Sequence, residues 1–448
     1  MFKNYASISA LLAIGCGIFF NSCDNQKDVQ DDSTFGLIQS KIFTPSCAIS
    51  GCHSSESDNT FLQHQLVLES KVSYANLVDI APQNANALVD KLIRVKPFHA
   101  EESLLYHKLH LASHHESDYG NPMPLGLELL SEGQLEFVRR WIEAGAPETG
   151  TVVDITLLDD TTPQPEDFEP LLPPEAGNGL QIVLSEFNVA PNFEREFFVY
   201  QKLGNQEEIF VNRFEIKMRQ NSHHFILYDF EGIPDLLRPA VDLVRDIRNP
   251  DGSLNIGNLI PMGYHVFVIG TQTPYLEYDF PEGVALSFPA NAVADLNSHY
   301  VNKQSKEIVG EVYINLHTLA AGEVKKVAKT LNLGNQNLNL AAKQRVTLTK
   351  SFKFDKSISI ISLTSHTHKL GEKFVIKING GPRNGEIVYS SSDWHHPDFI
   401  TISPPITLDP GEGLTSEITY NNTNDKAVKF GLTSEDEMGI IFGYYYEN

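Results

Sequence analysis

Beyond residue 180 the chain is written in short runs whose apolar residues alternate or cluster over five or six positions. Examples are Glu196-Phe-Phe-Val-Tyr200, Tyr264-His-Val-Phe-Val-Ile269 and Phe374-Val-Ile-Lys-Ile378, set apart by Gly, Pro and Asn turns. Side chains that alternate faces with a period of two, carried by aromatic and β-branched residues, are the pattern of strands. Turns at this spacing predict sandwiches, and periodicity by itself gives an all-β region with two of them. At 448 residues the chain is too long for one ordinary domain, and about three units of roughly 100 to 150 residues are expected.

One apolar, β-branched run, Ile358-Ser-Ile-Ile-Ser-Leu363, leads into Ser365-His366-Thr367-His368-Lys369-Leu370-Gly371. On a strand, residues two apart share a face, so His366 and His368 can aim two imidazoles at one point while Thr367 faces away. A lone His-x-His also arises by chance on surface strands. Here it has company: Asn221-Ser-His223-His224-Phe225 and Asn297-Ser-His299-Tyr300 upstream, and Asp436-Glu437-Met438 downstream. In this order, with Phe280-Pro-Glu-Gly-Val284 and Phe430-Gly-Leu-Thr433, the region from about Leu180 to Asn448 resembles the copper type II, ascorbate-dependent monooxygenases, among them the peptidylglycine hydroxylating enzymes and dopamine β-monooxygenase.

The resemblance implies two jelly-roll-like sandwich domains, 180–325 and 326–448, each holding one copper ion. By the same resemblance, His223, His224 and His299 hold the copper that stores and relays an electron. His366, His368 and Met438 hold the copper that binds dioxygen and substrate. Three imidazoles suit both copper oxidation states, and a thioether favours Cu(I), the state that must meet dioxygen. Adjacent His223 and His224 point to opposite faces of a regular strand, so both reach one ion only at a strand end or bulge, or through different ring nitrogens. His265, His317, His395 and His396 match no ligand position and read as structural or surface groups, with His395-His396 beside Trp394 as candidates for the cleft. Animal members carry cysteines where this chain has Ile418 and Gly439, so the bracing disulfides are absent.

The chain upstream reads differently. Lys3, the apolar stretch Ala6 to Phe20 and Ser22-Cys23-Asp24 predict a lipoprotein signal peptide over 1–23 with lipid on Cys23; Cys16 is a competing site. A polar tether, 24–33, follows. Cys47-Ala-Ile-Ser-Gly-Cys52-His53 reads as a c-type haem attachment with two extra residues in its loop, two thioethers from the cysteines and His53 as proximal ligand. A small disulfide loop is the bland alternative. Asn121-Pro-Met123-Pro-Leu125 offers Met123 as distal ligand, with His107, His110, His114 and His115 as alternatives. Ser131-Glu-Gly-Gln134 opens a helix with Leu135, Val138, Trp141 and Ile142 on one side, stopped by Gly145 and Pro147. Residues 34–149 resemble a small all-α cytochrome c-like domain, and 150–179 form an acidic, Pro-containing linker.

The expectation is therefore a small all-α cytochrome c-like domain followed by two all-β jelly-roll-like sandwiches, lipid-anchored in a bacterial cell envelope. With 34 basic against 57 acidic residues, a formal charge of −23, the chain is unsuited to recognising nucleic acid, and membrane contact runs through the lipid alone. Two coppers and one haem c imply a monooxygenase that hydroxylates a C–H bond of an unknown substrate with dioxygen, electrons arriving from a cytochrome or other donor through the haem. The alternative is a non-enzymatic haem and copper electron-transfer or copper-binding lipoprotein.

Overall fold

A computed structural model describes residues 32–58, 60–111, 119–165, 168–394, 397–431 and 436–448. The expected signal peptide with Cys16 and Cys23, most of the tether, and His114, His115, His395 and His396 lie outside the described residues.

The first half of the β region contains β1 (Gly179–Val189), β2 (Phe193–Lys202), β3 (Ile209–Met218), β4 (Ser222–Phe230), β5 (Val244–Asp246), β6 (His265–Thr271), β7 (Tyr275–Asp279), β8 (Val284–Phe288), β9 (Val293–Asn302) and β10 (Ile308–Leu319). The second contains β11 (Lys326–Gly334), β12 (Asn339–Leu340), β13 (Gln344–Lys353), β14 (Ile358–His366), β15 (Gly371–Asn379), β16 (Ile387–Ser391), β17 (Ile400–Leu408), β18 (Gly413–Asn422), β19 (Val428–Lys429) and β20 (Ile440–Glu447).

A nine-stranded sheet runs through both halves in the order β1-β10-β3-β8-β11-β20-β14-β17, with β7 also on β3. The parallel pairing of Val284–Leu286 with Lys326–Ala328 joins its two parts. Against its first part lies the five-stranded sheet β5-β2-β9-β4-β6, and the four-stranded sheet β13-β18-β15-β16 belongs to the second half. Inward residues such as Phe214, Ile216, Phe225, Leu227, Leu296 and Ile314 fill the first core, and Ile361 and Tyr444 from the second half join it. Leu363, Ile376, Leu414 and Ile418 lie in the second core. The expectation of β sandwiches is met, because burial alternates along strands such as β3 and β18 as the sequence alternates.

The N-terminal part departs from an all-α domain. Two helical runs are long, 34–46 with its π-helical middle Gln39–Phe43, and Glu132–Glu143, whereas Phe61–His64, Ser73–Leu77, Ala85–Val89 and Leu104–Leu109 span four to six residues. Left-handed residues at Gln65, Asp79, Lys91 and Phe98 break the backbone between them. Glu132–Glu143 forms as its sequence predicts. Ser131 accepts from the Gln134 backbone N–H and the Gln134 side chain accepts from that of Ser131, while Phe137, Val138, Trp141 and Ile142 are buried with Phe35, Ile38 and Cys47. The 150–179 segment is tied to the parts on either side of it. Gln164 donates to the Leu109 and Leu130 carbonyls, and the Leu171 and Leu172 carbonyls accept from Gln181 and Asn315.

Candidate metal centres

Three imidazoles converge on the outer face of the five-stranded sheet. Strand β4 pairs Ser222 with Tyr300 and His224 with His299, so His223 is the extra residue of a bulge. That bulge meets the geometric demand of adjacent histidines, since it turns His223 and His224 to one side of the strand. The ligand atoms of His223, His224 and His299 lie within 4.8 Å of one another. His223 Nδ1 stands 3.2 Å from His224 Nδ1. The other nitrogen of His224, Nε2, faces Asn297 Oδ1 at 2.7 Å, and His299 Nε2 faces Glu194 Oε1 at 2.9 Å. His299 Nδ1 is buried without a hydrogen-bond partner. Polar groups that hold Nε2 and leave Nδ1 bare are how a protein presents an imidazole to a metal.

Carboxylates stand behind these rings. Burial works against the charge of Glu196, yet His299, His224 and Asn297 together hold its carboxyl down to about 2. Burial lowers the pKa of His299, but Glu196 and Glu194 outweigh it and leave the imidazole raised. The pocket is therefore electronegative and suited to a cation.

The second set gathers where the two halves meet. His366 ends β14, and His368 lies just beyond the strand, so strand period does not aim it. Glu437 does so instead, accepting from the His368 backbone N–H at 2.5 Å, while the Asp436 carbonyl faces His368 Nδ1 at 3.0 Å. The two rings are 5.2 Å apart at 82°. Gln272 of the first half reaches His366 Nδ1 at 3.4 Å. Burial, then the neighbouring His368 and His224, keep His366 well below its ordinary pKa, and burial lowers His368. Both are thus neutral, the form that binds metal. Met438 follows Glu437, and its carbonyl accepts from Tyr420 Oη at 2.8 Å. Burial pushes the Glu437 carboxyl up to about 8 against its backbone N–H donors. A Cβ on Gly439 would lie 2.6 Å from Ile418 Cδ1, so residues 418 and 439 are neighbours.

In the N-terminal part, Cys47 is buried, Cys52 is half-buried, and the two thiols are free. Burial pushes Cys47 up to about 11. His53 Nδ1 faces the Leu66 carbonyl at 3.2 Å, an orientation that leaves Nε2 for a metal, and burial lowers its pKa. Met123 packs against the cluster that contains Cys47. His107 is engaged with the Glu101 carbonyl at 2.8 Å, and His110 stacks on Tyr106 beside Glu132, Glu136 and Arg139. Two thiols, an imidazole nitrogen and a thioether are the donor types that a c-type haem uses.

Sequence reasoning gave no role to Glu194, Glu196, Asn297 and Gln272, since what each faces depends on strand register and on contacts between the two halves. It also missed His64, whose ring is 5.8 Å from that of His53. His265 and His317 are structural: His265 faces Asp295 at 2.8 Å and stacks on Tyr228, and His317 faces Glu215 at 2.6 Å.

Among solved structures, the chain has a weak likeness to the major capsid protein P2 of bacteriophage PM2, at 9% identity and TM-score 0.24 over 60% of this chain and 97% of that one. A PBCV-1 VP54 structure fitted into a reconstruction of the virophage Sputnik gives 8%, TM-score 0.20, 60% and 94%. Overlaps this low carry no argument. No curated protein matches the chain. Residues 318–448 match the family model of the copper type II ascorbate-dependent monooxygenase C-terminal domain, a range that holds His366, His368 and Met438 but not the three-histidine cluster. The comparisons support a copper-dependent monooxygenase domain over residues 318–448.

Proposed function

We propose that the chain is an exported, lipid-anchored copper monooxygenase that hydroxylates a C–H bond of an organic substrate with dioxygen and draws its electrons through a c-type haem on residues 34–149. The observation that carries the reading is the donor set. Ligand atoms of His223, His224 and His299 lie within 4.8 Å of one another, and His366, His368 and Met438 lie within the matched monooxygenase range. Copper supplies one-electron redox chemistry and Lewis acidity at each set, and haem on Cys47, Cys52 and His53 supplies a third one-electron store. Inserting one oxygen atom while reducing the other to water takes two electrons beyond those of the C–H bond, so stores on one chain have a use.

The residues divide the work. Asn297 and Glu194 orient His224 and His299, Glu196 adds negative charge behind them, and Asp436 and Glu437 hold His368 toward His366. The test is metal content with oxygen uptake. Two coppers and one haem per chain, with dioxygen consumed in a copper-dependent way when candidate substrates are added to reduced protein, support the enzyme. Two coppers and a haem with no substrate-dependent oxygen uptake support the electron-transfer lipoprotein instead.

A further inference from the structure

Trp394, one of two tryptophans in the chain, stands where the three folded parts meet. It follows β16 in the second half, and its ring lies 6.4 Å from that of His223 in the first, with the planes at 36°. With the Gln63 amide turned so that its oxygen faces the indole, Trp394 donates to it from Nε1 at 2.9 Å and from its backbone N–H at 3.3 Å. Gln63 adjoins His64, whose ring faces that of His53. Arg94 fixes this turn by donating to the His64 and Gln65 carbonyls at 2.6 and 3.1 Å.

A second group of contacts secures the same docking. The Lys303 N–H donates to the Gly126 carbonyl at 2.8 Å, Gln304 Nε2 donates to the Leu127 carbonyl at 3.2 Å, and Lys306 pairs with Glu128 at 2.7 Å. Strand β9 carries His299 and runs directly into Lys303. The N-terminal part thus touches the first sandwich just beyond the strand that carries His299, and meets Trp394 beside His223.

We propose that Trp394 is the relay contact through which an electron passes from the haem-binding part to the three-histidine copper, an inference that rests on the reading of both cofactors above. The step makes and breaks no bond. Ferrous haem becomes ferric as cupric copper becomes cuprous, so one electron is lost and one gained, and no proton or further reactant enters. An aromatic ring packed into the gap keeps atoms in contact, where a smaller side chain leaves a void or water.

The test is anaerobic flash reduction of the haem, by an external photoreductant, in full-length protein carrying haem and cupric copper. Haem absorbance and the cupric EPR signal are followed together. In the wild type, haem reoxidation requires copper. Trp394→Leu slows it about tenfold, equivalent to ~1.4 kcal/mol of barrier, and Trp394→Phe recovers most of the rate, while copper content, resting EPR spectrum and haem spectrum stay unchanged. Should Trp394→Leu not accumulate, Trp394→Met, long but not aromatic, takes its place. Gln63→Ala and Lys306→Glu loosen the docking without removing the ring and slow the step less than twofold. Wild-type rates in Trp394→Leu, or equal slowing in Gln63→Ala, overturn the inference, the latter making Trp394 a docking residue alone. Wild-type haem that never passes its electron to bound copper overturns the parent reading instead.

Discussion

The two sandwiches share a frame and differ in what they hang on it. Near the end of β9, Asn302 Nδ2 donates to the carbonyls of Val189, Ala190 and Lys306, and its Oδ1 accepts from the Gln304 N–H. At the end of β18, Asn422 Nδ2 donates to Leu340, Ala341 and Lys426, and its Oδ1 accepts from Asn424. Two residues before each asparagine is a fully buried tyrosine, Tyr300 or Tyr420. The neighbouring strands repeat the match. Ser222 pairs with Tyr300 and a bulge follows before His224; Gly371 pairs with Tyr420 and a bulge follows before Lys373. On that scheme His223, His224 and His299 correspond to Glu372, Lys373 and Thr419. The first sandwich puts its histidines on the bulge, whereas the second leaves the bulge bare and brings His366 and His368 together at the end of β14, with Met438 in the segment before β20 whose Asp436 and Glu437 hold His368. The frame answers backbone needs that both halves have, and the metal chemistry is a handful of side chains placed on it differently.

The largest effects separate the two ligand sets. Met438→Ile keeps the bulk but removes the thioether: one copper remains, the haem spectrum is unchanged and turnover vanishes. His299→Ala loses the other copper, again with turnover abolished. Metal analysis with EPR checks both, and a variant that loses both coppers at once would break the view of two independent sites.

Stability tests the shared frame. Asn302→Ala and Asn422→Ala each leave three carbonyls without their common donor, which costs about 3 kcal/mol in either sandwich. Thermal unfolding followed by calorimetry shows two comparable losses if the brackets are equivalent. A loss confined to one would mean that the likeness is one of register only.

The part of this that was legible in the sequence is the part written in patterns. Alternation showed the strands, Ser131 and Gln134 showed the helix Glu132–Glu143, and ordered histidine motifs picked out His223, His224 and His299, which converge, and His366 and His368, which lie together. The pairing of Tyr300-Val-Asn302 with Tyr420-Asn-Asn422 was hidden, because a duplication kept in hydrogen bonds to carbonyls needs only one or two identical side chains. The orienting groups were hidden as well. Glu194 and Glu196 look like exposed residues of an alternating strand until β9 is laid beside β2 in register. The N-terminal sequence predicts more helix than forms, since Gln65, Lys91 and Phe98 take left-handed backbone that such residues seldom adopt.

Glu194→Gln sharpens the contrast in how the ligands are held. In the first sandwich side-chain carboxylates stand behind the imidazoles, whereas His368 relies on the Asp436 carbonyl. Replacing the carboxylate behind His299 weakens the first copper about 10- to 100-fold and leaves the second unchanged, as copper titration with a competing chelator will show. Equal weakening of both would mean that Glu194 acts through the fold.

The smallest effect is a gain. If the second bulge is the counterpart of the first, Glu372→His, Lys373→His and Thr419→His together recreate three converging imidazoles on the outer face of β15 and β18. The orienting groups do not come with them: Glu194 and Glu196 pair across β9 with Val301 and His299, and the matching positions opposite Asn421 and Thr419 are Arg345 and Thr347. Arg345 is a cation and also loses its partner Glu372, so it repels a metal where Glu194 attracts one. The triple variant should therefore bind one extra copper about 100-fold more weakly than the natural three-histidine set, and adding Arg345→Glu should recover part of the difference. Equilibrium dialysis read against EPR decides it. No third copper in either variant would confine the equivalence of the two bulges to their backbones.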